Sequence, residues 1–258
     1  MTTTTRIRRC GEAALLLECA DLAEAVTLAE QVERSLPEAV DVVAAARTVL
    51  VTARDAAALP GLRRRLDALL RHETRESGGG PTDGGGGREE GREIWIDVRY
   101  DGPDLPVIAD LAGMSVEALV RRHSSITWRA AFGGFAPGFF YLVDARELAE
   151  VRPGAAPEPL PAVPRLGSPR TRVPAGSVGL ADRFCAVYPG ASPGGWQLIG
   201  TTDAPLWDTE RPDPALLAPG VTVKFRDSSS SSGADSSRGA SSSRGAGSAS
   251  PGSPGEAR

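Results

Sequence analysis

The chain has almost no lysine. Every one of its 29 basic residues except Lys224 is arginine. Schiff-base or amine general-base chemistry therefore has a single candidate, and it stands beside the C-terminal tail. Histidine is nearly as scarce, with His72 and His123, and the three cysteines, Cys10, Cys19 and Cys185, form no C-x-x-C. A zinc centre of the usual Cys/His kind lacks ligands. An odd, sparse cysteine count suits a reducing compartment better than a disulfide framework. Positive charge is not in excess: 33 acidic residues against 29 basic ones leave a net charge of −4, which argues against a nucleic-acid partner. No apolar run approaches the ~18 residues that span a bilayer. Met1 to Arg6 lacks the apolar stretch of a secretion signal. The expectation is a cytoplasmic protein with no membrane partner.

What is present reads as two foldable regions. Arg6 to Cys19 predicts two strands around a turn at Gly11. Asp21, with Glu24 three residues on, has the form of a capping box. Leu22, Val26, Ala29, Val32 and Leu36 follow at helical spacing until Pro37. Val40 to Ala45 and Thr48 to Thr52 are short and β-branched, so two more strands are expected. Leu59, Leu62, Leu66, Leu69 and Leu70 predict a second helix, from Arg54 to His72. This order suits an antiparallel sheet with helices on one face, an α+β domain over residues 1–73. Residues 74–92 read as a flexible linker. They are rich in glycine but contain no G-x-x-x-x-G-K-[ST] phosphate loop.

Ile94 to Arg99 alternates like a half-buried strand. Asp104 is placed as the N-cap of a helix over Leu105–Leu111, and Ser115 as the cap of another reaching His123. From Ile126 glycine and proline multiply and the apolar stretches shorten, which predicts a β-barrel or sandwich. This second domain covers residues 93–227. The Ser/Gly/Ala-rich tail, residues 228–258, has too little apolar surface to offset its ordering entropy.

Four segments of the second domain carry candidate chemistry. Arg122-His123-Ser124 holds the one histidine near a motif. It is read either as an acid/base group or as a cation at a helix C-terminus. Arg170 and Arg172 stand two apart on an expected strand, so both could line one pocket; the alternative is a solvated face. Tyr141 and Trp196 lie in glycine-rich turns, where aromatics commonly pack on bare backbone. Gly138, Gly194 and Gly195 suggest unusual φ values or close backbone approach. Ser177 lacks a G-x-S-x-G elbow. Cys185 lies in an expected strand and reads as a buried, inert thiol.

Three of these segments carry a resemblance. Gly134 to Leu142 reads G-F-A-P-G-F-F-Y-L, Pro169 to Val178 reads P-R-T-R-V-P-A-G-S-V, and Ser192 to Gly200 reads S-P-G-G-W-Q-L-I-G. In these motifs the chain resembles the allophanate hydrolase subunit 1 family, also described as carboxyltransferase subdomains C and D. That family includes the B subunit of 5-oxoprolinase and a Kip-type inhibitor of a sporulation histidine kinase. The resemblance implies a small α+β N-terminal domain followed by a cyclophilin-like β-barrel. It also implies a reaction, the ATP-dependent opening of 5-oxo-L-proline to L-glutamate together with subunits A and C.

On that resemblance the expected catalytic residues are His123, Arg170 and Arg172. The expected substrate-binding residues are Pro137, Gly138, Tyr141, Ser177, Gly194, Gly195 and Trp196. Two alternatives are a regulator of a sensor histidine kinase and a subunit of a urea or allophanate carboxyltransferase-type enzyme. The chain departs from the family pattern at Phe184-Cys185, where relatives have a Gln-Thr pair, and at Thr201, where they have arginine.

Overall fold

The computed structural model describes residues 5–76, 91–148 and 159–228. Most of the expected linker and nearly all of the expected tail lie outside the described residues. Four strands open the chain: β1 (Arg6–Cys10), β2 (Ala14–Glu18), β3 (Asp41–Ala44) and β4 (Thr48–Thr52). They form an antiparallel sheet in the order β1-β2-β4-β3. Leu15, Leu17, Val49 and Val51 alternate onto one face and are buried there. Helices α1 (Leu22–Ser35) and α2 (Leu59–Glu76) cover that face, contributing Leu28, Val32, Leu62 and Leu66 to the same core.

The capping box at α1 forms in a shifted version. Asp21 accepts from the Glu24 amide at 2.9 Å, while the Glu24 carboxylate takes the amide of Ala20, one residue before the cap. The second helix begins with the first residue of its leucine stripe, later than the expected Arg54, and runs past the expected end at His72 to Glu76. Pro60 has no amide hydrogen and fits only the first turn, so the helix starts at Leu59.

The second region is a nearly closed barrel. Its strands are β5 (Glu93–Val98), β6 (Trp128–Gly133), β7 (Phe140–Asp144), β8 (Arg170–Val173), β9 (Ser177–Ala181), β10 (Phe184–Val187), β11 (Ser192–Gly194), β12 (Gln197–Thr201) and β13 (Thr222–Asp227). Seven of them run in the order β12-β9-β10-β7-β6-β13-β5, and β8 and β11 form a separate ribbon. Only the β13–β5 pair is parallel among these ladders. The outer strands meet at a seam, where Arg99 and Thr201 exchange two backbone hydrogen bonds of 2.8 Å. Closure demands glycine there. A Cβ on Gly102 would lie 2.3 Å from the Ile199 carbonyl carbon, and one on Gly200 would lie 2.4 Å from the Arg99 oxygen.

Helices α3 (Leu105–Leu111) and α4 (Val116–Ser125) fill the barrel through Leu105, Ile108 and Leu119. The two regions join where Leu22 and Val26 of α1 pack against Ala131, Phe132 and Val143.

The three cysteines form no disulfide; Cys10 is exposed and Cys19 and Cys185 are buried. Burial also pushes the Cys185 thiol pKa well above its ordinary value. One thiol is therefore expected to react rapidly with Ellman's reagent in the native chain and all three in denaturant. Rapid modification of two in the folded protein would contradict this packing.

Candidate functional site

The three motifs meet in one aromatic cluster. The loop between β6 and β7 carries two left-handed residues, Phe135 at φ 72° and Gly138 at φ 78°. For a phenylalanine this conformation stores strain of about 1–3 kcal/mol. Its ring is 62% exposed and meets Phe139 edge-on at 5.1 Å. Phe139 in turn meets Tyr141 at 5.3 Å, Tyr188 at 5.3 Å and Trp196 at 5.6 Å, all edge-to-face. Tyr141 reaches Trp196 at 5.5 Å. Rings in this geometry fix one another's orientation as well as burying area.

Backbone glycine makes room for the cluster. A Cβ on Gly194 would lie 2.5 Å from the Tyr188 hydroxyl, so only glycine permits this approach. Gly195 has no such need, since its nearest neighbours are ordinary contacts with Pro169 at 3.8 Å. Burial raises the Tyr188 pKa, while the Trp196 backbone amide and the charges of Arg165 and Arg170 oppose that shift.

The arginines part company. Arg170 Nη2 donates to both Asp104 oxygens at 2.7 and 2.8 Å, and Nη1 donates to the Trp196 carbonyl at 3.2 Å. Asp104 also accepts from the Leu198 amide at 2.6 Å. The residue read as a helix cap makes no side-chain capping bond. Its carboxylate, 8% exposed, instead ties α3 to β8 and β12. Register between β8 and β11 shifts by one residue between Ser192 and Gly194, which interrupts the simple alternation expected for Arg170 and Arg172. Arg172 is exposed, and no acidic side chain pairs with it among the described residues.

The structure brings Tyr141, Gly194, Trp196 and Arg170 together, with Pro137 and Gly138 in the adjoining loop. Ser177 is buried on β9. His123 lies elsewhere, at 0% exposure inside the barrel core. Its Nδ1 meets the Tyr100 hydroxyl at 2.8 Å and its Nε2 meets Cys185 Sγ at 3.4 Å. Trp128 and Phe225 flank the ring at 5.1 and 4.8 Å. Burial pulls its pKa down to about 3, so the imidazole is neutral. Neither expectation for His123 matches this setting: a sealed, neutral ring is neither a cation at a helix end nor a base in contact with solvent.

The contacts of Asp104 and Tyr188 in this cluster were missed in the sequence. Asp104 looks like any helix cap. Tyr188 opens the candidate segment Tyr188–Gly200 and matches a Tyr-Pro pair of the family pattern, and that was its signal.

Residues 5–217 match the family described as carboxyltransferase domain, subdomain C and D. The chain belongs to this family. A curated relative, the 5-oxoprolinase B subunit of Escherichia coli O157:H7, is 46% identical over a match covering 53% of this chain and 58% of the relative. Proteins of the same name from Haemophilus influenzae and Bacillus subtilis are 41% and 40% identical. The matched stretch spans little more than half the length of these curated relatives. Among solved structures, the crystal structure of TTHA0988 is 31% identical at a TM-score of 0.60, with 86% of this chain and 40% of that one covered. The Kluyveromyces lactis urea carboxylase shares the fold at a TM-score of 0.63 and 18% identity, covering 86% of this chain and 22% of that one.

The departures from the family pattern fall in separate places. On β10, Phe184 joins the aromatic cluster at 5.5 Å from Tyr141, while its neighbour Cys185 faces His123 on the other side of the sheet. The Thr201 hydroxyl donates to Asp101 at 3.0 Å on the barrel seam. None of the described helices is long and apolar enough to cross a membrane.

Proposed function

We propose that the chain is the B subunit of an ATP-dependent 5-oxoprolinase, opening 5-oxo-L-proline to L-glutamate together with subunits A and C. The observation that carries the reading is the aromatic cluster joining the first and third motifs, into which Val173 of the second motif packs, with exposed Arg172 as its neighbour in the chain. A lactam is a stable amide. Transfer of the ATP γ-phosphoryl group to its oxygen, with loss of ADP, makes the ring carbon electrophilic. Water then adds to that carbon, the C–N bond opens to leave an acyl phosphate with a free amine, and a second water releases phosphate and L-glutamate. The nucleotide is taken with the partner subunits.

This chain's contribution is to receive the ring against Tyr141 and Trp196, exclude water there, and offer the Arg172 guanidinium to an oxyanion. Arg170, held by Asp104 and the Trp196 carbonyl, positions Trp196 and does not take substrate. No general base is assigned to this chain, since His123 has no path to the cluster.

The test is co-expression with subunits A and C and assay of ATP-dependent glutamate formation. Arg172→Ala is expected to lower kcat/KM by about 10- to 100-fold, the loss of one charged hydrogen bond. Full turnover by A and C without this chain would defeat the reading. One observation favours a second reading, a module that docks on another protein such as a histidine kinase. Phe135 and Trp207, 62% and 41% exposed, flank Gly138 and present aromatic surface to solvent. Binding of the isolated chain to a kinase, with no complex formed with A and C, would favour it.

A further inference from the structure

We propose that Arg165 is a second oxyanion-recognising residue of the site, beside Arg172, binding a carboxylate or phosphoryl group next to the Gly194–Trp196 turn. The proposal rests on the functional reading above and adds a specificity-determining residue to it.

The first argument is electrostatic. Several arginines of the barrel hold acidic partners, Arg99 with Asp203 at 2.7 Å, Arg183 with Glu147 at 3.2 Å and Arg211 with Asp208 at 3.3 Å, whereas Arg172 has none among the described residues. Arg170, the buried arginine of the second motif, is fully engaged by Asp104 and Trp196. Arg165, four residues before that motif, is exposed, and no acidic side chain pairs with it among the described residues. Its charge reaches the Tyr188 phenol, where it favours the ionised form.

The second argument is mechanical. The backbone on both sides of Arg165 is pinned to the barrel. The Val163 amide donates to the Asp182 carbonyl at 2.9 Å, and the Leu166 amide donates to the Gly195 carbonyl at 2.8 Å. Between them, the side chain of Gln197, only 5% exposed, donates to the Pro164 carbonyl at 2.7 Å. A buried glutamine thus holds the residue next to Arg165. A solvated surface arginine gains nothing from such fixing. A ligand-binding arginine gains preorganisation, because less freedom is lost when the oxyanion arrives.

The third argument is an orphan. Ser192 Oγ, two residues from Gly194, is enclosed and finds no hydrogen-bond partner, the one such side-chain atom among the described residues of the barrel. A buried hydroxyl without a partner is costly in a folded chain, and at a binding site it is a group for a ligand to satisfy. Arg165, adjacent to the residue that bonds Gly195, and Ser192, two residues before Gly194, thus bring one cation and one unsatisfied hydroxyl to the Gly194–Trp196 turn. A small oxyanion fits that set. An apolar or cationic ligand does not.

The reconstituted complex of the three subunits carrying Arg165→Gln tests the assignment, with exposed Arg121→Gln on α4 as the control. A rise of about 10- to 100-fold in KM for 5-oxo-L-proline, with KM for ATP unmoved, identifies the bound group as the substrate carboxylate. The same rise in KM for ATP identifies it as a phosphoryl group. Unchanged KM values for both overturn the proposal. If the wild-type complex is silent, the 5-oxoprolinase reading fails by itself. Arg165 is then tested on the full chain alone, by following the arginine Nε–Hε resonances during titration with inorganic phosphate and, separately, 5-oxo-L-proline. A saturable shift that Arg165→Gln abolishes supports the assignment; no saturable shift with either probe overturns it.

Discussion

Replacing Asp104 with alanine is expected to lower the unfolding free energy by about 3 kcal/mol, a large share of what a domain of this size has to lose. The carboxylate accepts two hydrogen bonds from Arg170 and one from the Leu198 amide, and the Arg170 side chain is 27% exposed. Truncation leaves a largely buried guanidinium without its counter-charge and a buried amide without an acceptor, and both penalties fall on the folded state. Asp104→Asn keeps an acceptor oxygen and is expected to lose roughly half as much. In the Asp104→Ala/Arg170→Ala double variant the cost is expected to be well below the sum of the single ones, since each removes the partner whose desolvation the other leaves uncompensated. Urea unfolding followed by tryptophan fluorescence measures all four chains. A loss under about 1 kcal/mol for Asp104→Ala would mean that water satisfies Arg170 and that the carboxylate is not the tie described above.

Acid is expected to destabilise the chain steeply through His123. The folded ring binds a proton only near pH 3, whereas the unfolded chain does so near 6.5. Between those limits unfolding takes up a proton, so stability falls as pH falls, by about 1.4 kcal/mol for each unit. Above pH 6.5 both states are neutral and this contribution is constant. Carboxylates add their own acid lability at lower pH, so the informative quantity is a difference in slope. A His123→Leu chain is expected to lose the His123 slope between pH 6 and 4, even though it starts less stable because Tyr100 and Cys185 lose their shared partner. Should that variant fail to fold, the wild-type imidazole resonances settle the point. They are expected to stay at the neutral position down to about pH 4, and a titration midpoint near 6 would show that the ring reaches water.

Much of the fold was legible because local patterns state it. The alternation of Leu15, Leu17, Val49 and Val51 and the leucine spacing of α2 fix which faces are buried wherever those elements pack. The expected start of α2 at Arg54 lay ahead of the leucine stripe, which itself begins where the helix does, at Leu59. Pro60 decided the boundary through its missing amide. The candidate site was legible only as motifs. Tyr141 and the Gly194–Trp196 turn converge from two distant segments, and the order of the strands is what brings them together.

Sequence by itself determined the family, through three ordered glycine- and proline-rich motifs, and it determined the poverty in lysine, histidine and cysteine that narrows the chemistry. It also pointed to Cys185 as a quiet thiol, since nothing near it in the chain could lower its pKa, and burial in the barrel then raised that pKa. Tertiary structure decided the fate of each charged or polar side chain. Asp104 and Arg170 are 66 residues apart, and no spacing rule joins them. Closing the barrel placed α3 against β12, so a carboxylate that would cap a helix in isolation became the counter-charge of an arginine. The same closure sealed His123 among Tyr100, Trp128, Cys185 and Phe225. A side chain's chemistry depends on its solvation and its neighbours' charges, and those are properties of the packed molecule.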